Sequence, residues 1–256
     1  MRSLYRNCVD AVALAAMVLF MSLASITRID FEYSLARNDG WWYLNRAWQH
    51  SHGIFDDTSF YTLAYPVLIG LLNKIVNDLS ISAIAANMLN FATLSLGTYM
   101  LGRLWYGRVS GVAGAFLLSF STKMAEHAQL ISPDLLSMSL LVWVAVLATL
   151  LSRYTSRIWL IVLTSLIAIS PFICAENPIY CVISLLAIFG LKKVKEQVLL
   201  LAVLATLMWG LYLIWFFISS GTVPFTGRTE ELPQAIHQLE KWIQVVLSQC
   251  AYPSLR

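Results

Sequence analysis

Ala36-Arg37-Asn38-Asp39-Gly40-Trp41-Trp42-Tyr43-Leu44-Asn45-Arg46-Ala47-Trp48 is the most polar and most aromatic stretch of this chain, and it lies among long apolar runs. An acid, a glycine and then Trp41, Trp42, Tyr43 and Trp48 place one carboxylate beside rings of the kind enriched at the membrane–water interface. Residues 40–49 therefore read as an amphipathic helix lying on a membrane surface, with His50 to Asp57 as the turn that follows it. Asp39 then sits at headgroup level, where a lipid-borne substrate is within reach.

The composition around that stretch agrees with a membrane setting. The chain is 59% hydrophobic and only 12% charged, with a mean hydropathy of +0.70, against roughly a quarter charged in a soluble domain. These values imply an integral membrane protein of the all-α class, because helices satisfy their own backbone in lipid. The basic residues are scattered among short loops, so the net charge of +3 gives no nucleic-acid surface.

Working outward from residue 39, the run Val9 to Ile26 behind Arg2 and Arg6 is a first span, retained as an anchor because it exceeds a signal-peptide core. Residues 27 to 80 form one long polar connection. Within it Leu63 to Val76 is apolar but carries Pro66, Gly70, Asn73 and Lys74. Its uninterrupted core falls short of the about 20 residues a span needs, so it reads as interfacial or re-entrant. Further spans are expected near 81–102, 109–122, 135–152, 158–174, 178–191 and 197–218, giving seven with the first. A seven-span core over residues 1–218 and a separate tail, 219–256, follow.

Positive charge in short loops sets the orientation. With the N-terminus cytoplasmic, Arg2, Arg6, Arg103, Arg108, Arg153, Arg157, Lys192, Lys193 and Lys195 fall inside, with only Asp10 and Glu196 as acids. Every other acid then lies on the external face, as does the C-terminal tail. No tandem repeat is visible, which argues against a transporter built of inverted halves. Cys8, Cys174, Cys181 and Cys250 lack metal-ligand or redox spacing. Cys174 and Cys181 flank one outer turn, where a bridge is possible, but buried thiols packed as small apolar residues are the better reading.

The external loops offer Asp39, then Glu126, His127 and Asp134 in Lys123-Met124-Ala125-Glu126-His127-Ala128-Gln129-Leu130-Ile131-Ser132-Pro133-Asp134, then Glu176. Carboxylates gathered at one end of a bundle point to a wet cavity with a task. Each also has a plain structural reading. Asp39 suits a helix N-cap, and Ser132-Pro133-Asp134 looks equally like a helix start. Glu126 and His127 suit a solvated loop, and one His among acids carries no metal-ligand spacing. The tryptophans can be interface anchors alone.

The order of these segments resembles the GT-C superfamily of membrane glycosyltransferases, and within it the branch of protein mannosyltransferases and lipid A aminoarabinose transferases. The segments are Asp39 to Ala47, Tyr65-Pro66-Val67-Leu68-Ile69-Gly70-Leu71-Leu72, Leu101-Gly102-Arg103-Leu104-Trp105-Tyr106-Gly107-Arg108, Ser119-Phe120-Ser121 and Ser132-Pro133-Asp134. The resemblance covers about residues 10 to 195. It implies transfer of a sugar from a polyprenyl-phosphate carrier to a protein, lipid or glycan acceptor on the non-cytoplasmic face, in a setting such as a bacterial inner membrane. Asp39 takes the place of the catalytic first-loop acid, and two surface helices in that loop match 40–49 and 63–76. Physically, such an acid raises the nucleophilicity of an acceptor hydroxyl as the anomeric C–O bond breaks, and a cation meets the departing phosphate. Arg37, Lys74 and Lys123 are candidates for that cation, each also reading as a headgroup-snorkelling residue. Glu126, His127, Asp134, Trp41 and Trp42 are further substrate-binding candidates. The residues name no cofactor, and a divalent cation at the phosphate stays open.

Three positions depart from the family pattern. Gly40 follows Asp39 where some branches have a second acid, no Lys-Pro pair precedes the second surface helix, and Glu176-Asn177-Pro178 stands where an Arg-Pro is common. These departures, with the small number of spans, support an alternative of a different class. In it the chain is a non-catalytic scaffold that assembles with other membrane subunits and bulk lipid.

Overall fold

The computed structural model describes residues 40–54, 63–154, 156–174 and 176–189, with residues 203, 207–211, 214 and 218. Among these the chain is helical, without a strand. The expected first span, Arg37, Asp39 and the tail 219–256 lie outside the described residues. So does most of the expected last span, whose described positions are helical.

Among the described residues eight helices have defined bounds, in order α1 (Gly40–Ser51), α2 (Ala64–Val76), α3 (Leu79–Tyr106), α4 (Arg108–Ser119), α5 (Thr122–Gln129), α6 (Asp134–Arg153), α7 (Arg157–Ile173) and α8 (Asn177–Phe189). Among the described residues, α3 and α6 alone are long and apolar enough to cross a membrane. At about 1.5 Å per residue they reach about 42 and 30 Å, against a hydrocarbon core of about 30 Å. Helices form at both positions expected in the first loop, as α1 and α2.

α3 begins where Asp78 caps it, its carboxylate accepting from Ile81 N at 2.9 Å. α3 and α6 then run side by side in the same direction, as their cross-links show. Near the start, Asn87 Nδ2 donates to Leu130 O at 2.9 Å, just ahead of α6. Further along, Thr93 Oγ1 and Ser139 Oγ are 2.8 Å apart, and Trp143 Nε1 donates to Thr93 O at 3.0 Å. Near the far end, Trp105 Nε1 donates to Thr149 Oγ1 at 3.0 Å. Gly97 opens the space for Trp143, since a Cβ there would stand 3.3 Å from its Nε1 and 2.8 Å from Val142 Cγ1.

α4 folds back against α3 through Gly107, whose φ of 95° is a backbone state that suits glycine. Gly102 and Gly111 let the two backbones touch; a Cβ on Gly111 would lie 2.6 Å from Tyr99 O. α4 has 12 residues, about 18 Å. The expected span at 109–122 is thus a shorter helix tied to α3, and a separate helix, α5, occupies part of what read as a loop. α7 contains a buried Pro171 that cannot donate to Ile167 O, and the neighbouring Ser170 Oγ supplies that bond at 2.7 Å.

The largest apolar cluster joins α6, α7 and α8 through Val144, Leu147, Ala148, Leu163, Ile167, Cys181 and Leu185. A second joins α1, α2 and the start of α3 through Tyr43, Leu44, Ala47, Tyr65, Ile69, Ala83 and Ala86, with Ile131 from the segment before α6. No disulfide joins Cys174 and Cys181; Cys181 is buried, as expected, whereas Cys174 is half-buried.

Candidate functional site

α1 and α2 pack in the same direction. Tyr43 meets Tyr65 edge to face with centroids 5.6 Å apart, and Asn73 Nδ2 lies 3.4 Å from Ser51 Oγ. Between those contacts the helices come close at Gly70, where a Cβ would be 2.9 Å from Ala47 O. The amphipathicity expected of 40–49 is realised. Tyr43, Leu44, Ala47 and His50 face inward, while Trp41, Trp42 and Trp48 are 63%, 52% and 46% exposed. Trp41 and Trp42 therefore do not line the packed interior between α1 and α2.

Behind this pair, Tyr65 is fully buried and its hydroxyl donates to Asn87 Oδ1 at 2.7 Å. Asn87 Nδ2 in turn donates to Ala128 O at 3.2 Å and to Leu130 O. One bonded chain thus runs from the first loop through α3 to the segment between α5 and α6. Burial, the largest cause, and the neighbouring Tyr43 push the Tyr65 hydroxyl well above its ordinary value.

The end of α5 and the start of α6, on either side of that segment, bring the expected histidine and acid together. Asp134 accepts from Ser132 Oγ at 3.0 Å and lies 3.4 Å from His127 Nδ1. The latter geometry is not a hydrogen bond, so the attraction is electrostatic and full only when His127 is protonated. Asp134 is the first residue of α6 but makes no side-chain cap there; its carboxylate turns to Ser132 and His127 instead. A carboxylate beside a part-exposed imidazole is a competent proton-accepting pair.

The other candidates are placed differently. Lys123 and Glu126 pair with each other at 2.9 Å on the exposed side of α5, a contact of small energetic weight. Lys74 lies in the last turn of α2, exposed and without an acidic partner among the described residues. Among the described residues no group of three or more His, Cys, Asp or Glu side chains could hold a metal ion, so His127 and Asp134 do not by themselves make a divalent-cation site.

Sequence reading missed Tyr65, Asn87 and Asn177 as organising residues. Asn177 is fully buried, accepts from Ser137 Oγ, and leaves its Nδ2 unpartnered. The available signal was Asn87 and Asn90 inside an apolar run, since amides at membrane depth persist where they bond other helices. In comparisons with known proteins, the chain matches no protein-family model and no curated protein.

Proposed function

We propose that the chain is a membrane glycosyltransferase that moves a sugar from a polyprenyl-phosphate carrier to an acceptor hydroxyl on the non-cytoplasmic face. The reading includes seven spans and a cytoplasmic N-terminus. The observation that carries it is the gathering of α1, α2, α5 and the start of α6 at one end of the α3–α6 pair, with His127 and Asp134 in contact there. In this reading Asp39, directly before α1, takes the acceptor's proton as its oxygen attacks the anomeric carbon. The C–O bond to phosphate breaks, and the phosphate leaves with both bonding electrons. Lys74 suits the departing phosphate better than Lys123, whose charge is already engaged by Glu126.

A second reading is supported by the interlocked Tyr65–Asn87–Leu130 chain, which fills the interior of the same end with bonded side chains. A scaffold subunit needs that rigidity and no cavity.

Single-turnover transfer from a purified polyprenyl-phosphate sugar in proteoliposomes separates the two. Asp39→Asn keeps the shape and most capping capacity but removes the charge. Transfer should fall by about 10²–10⁴ with melting unchanged, and Asp134→Asn should cost less. Full transfer by Asp39→Asn ends the assignment of that residue. A wild-type chain inactive with every donor, yet isolated in a stable complex with other membrane proteins, establishes the scaffold.

A further inference from the structure

At the opposite end of the α3–α6 pair an open pocket of about 280 Å³ is lined by Trp105, Tyr106, Thr149, Ser152, Arg153 and Ile188. We propose that it binds the phosphodiester headgroup of an anionic phospholipid, with Arg153 pairing the phosphate. The proposal rests on the reading of α3 and α6 as membrane-spanning, and not on any catalytic role.

The pocket is built rather than incidental. Trp105 is held by its bond to Thr149 Oγ1, which makes the indole a fixed wall. Thr149 Oγ1 donates to Ala145 O at 2.8 Å and Ser152 Oγ to Thr149 O at 2.7 Å, so both hydroxyl protons are committed. Arg153 donates through one terminal nitrogen to Leu104 O, and that bond aims the guanidinium across the gap between the helices. No acid among the described residues pairs with it, which leaves its remaining N–H donors for a ligand. A planar guanidinium suits the two free oxygens of a phosphodiester. Trp105 and Tyr106, with ring centroids 6.2 Å apart, and Ile188 suit the glycerol and upper acyl region, the level at which such rings reside.

The ends of α3 and α6 oppose an anion, since each helix C-terminus carries about half a negative charge. Arg153 offsets this, its donated bond engaging an α3 end carbonyl directly. Arg103, Arg108 and Arg157 at the same end add to the positive field. Basic pockets between spans are established sites for acidic headgroups.

The test titrates short-chain phosphatidylglycerol, phosphatidylcholine or inorganic phosphate into the detergent-solubilised full chain, with bound ligand read by native mass spectrometry. Phosphatidylglycerol should be retained more strongly than phosphatidylcholine, whose phosphodiester is the same but whose choline cation is disfavoured in a positive field. Equal retention of the two overturns the preference for an anionic lipid. Arg153→Gln should weaken retention about tenfold, and Arg157→Gln by about twofold or less. Ser152→Phe fills the pocket while sparing the guanidinium, and should weaken retention as much as Arg153→Gln. It decides the matter should Arg153→Gln misfold. Equal losses in the two arginine variants, or wild-type retention by Ser152→Phe, overturn the pocket in favour of diffuse attraction. Displacement of the lipid by equimolar inorganic phosphate overturns the lipid as the source of the anion.

Discussion

Tyr65 shows how one hydroxyl links three parts of the chain. Its proton goes to Asn87, whose amide holds the carbonyls of Ala128 and Leu130. Tyr65→Phe leaves the buried Asn87 Oδ1 without that donor, and should cost about 1–3 kcal/mol in chemical or thermal unfolding. The pH dependence has a definite sign. The folded-state value is raised by burial, so the folded chain keeps a proton that the unfolded chain loses above about pH 10. Stability contributed by the neutral hydroxyl is present below that pH and is lost as pH rises further. Tyr65→Phe should flatten this alkaline limb in a melting series from pH 8 to 11, and an unchanged limb would assign it to other groups. The place of Tyr65 in this chain was not legible in the sequence, where it read only as part of a surface-helix motif. Hydropathy gives no partner for a hydroxyl, and Asn87 is 22 residues away.

At the scale of elements, glycine position separates close helix contacts from ordinary ones. Gly111→Ala drives a methyl to 2.6 Å from Tyr99 O and 3.0 Å from Arg103 N, both backbone atoms that cannot rotate away. The α3–α4 hairpin must open, at a cost of about 1–3 kcal/mol. Gly114→Ala, three residues on, meets only Thr98 Cγ2 at 3.6 Å, and should be neutral or stabilising by up to about 1 kcal/mol through helix propensity. Melting of the two variants in one detergent checks the contrast, and similar losses in both would remove close backbone contact as the cause. α1, α2, α3 and α6 were legible because aromatic clustering and apolar length are direct signals. α5 was not. Its apolar side is short, with Met124 and Ala128 packed toward Phe91, Leu94 and Leu135, and its charged Lys123–Glu126 side resembles a solvated loop. The run at 109–122 already reads as short for a span, but where α4 stops was hidden, because hydropathy continues through Phe120 while the helix ends at Ser119.

For the whole molecule, the polar organisation follows from α3 and α6 running in the same direction. Their starts gather α1, α2, α5, His127 and Asp134, while their ends hold Arg103 and Arg153, the latter donating to Leu104 O. Loop charge had already separated these two sets, since basic residues near span ends favour the cytoplasmic side. Which residues within each set touch was beyond the sequence, because that depends on helix rotation and on contacts such as Trp143 with Thr93. The separation makes the orientation measurable. In a chain stripped of Cys8, Cys174, Cys181 and Cys250, a cysteine replacing the exposed Lys123 should react with a membrane-impermeant maleimide in intact cells. A cysteine replacing Arg157, at the other end and also exposed, should react only after permeabilisation. Both sites are accessible in the fold, so a difference in labelling reports the membrane rather than burial. The reverse pattern would place His127 and Asp134 on the cytoplasmic side, where a transferase acting at the external face has no use for them, whereas the pocket at Arg153 would keep its chemistry with the opposite leaflet as its lipid source.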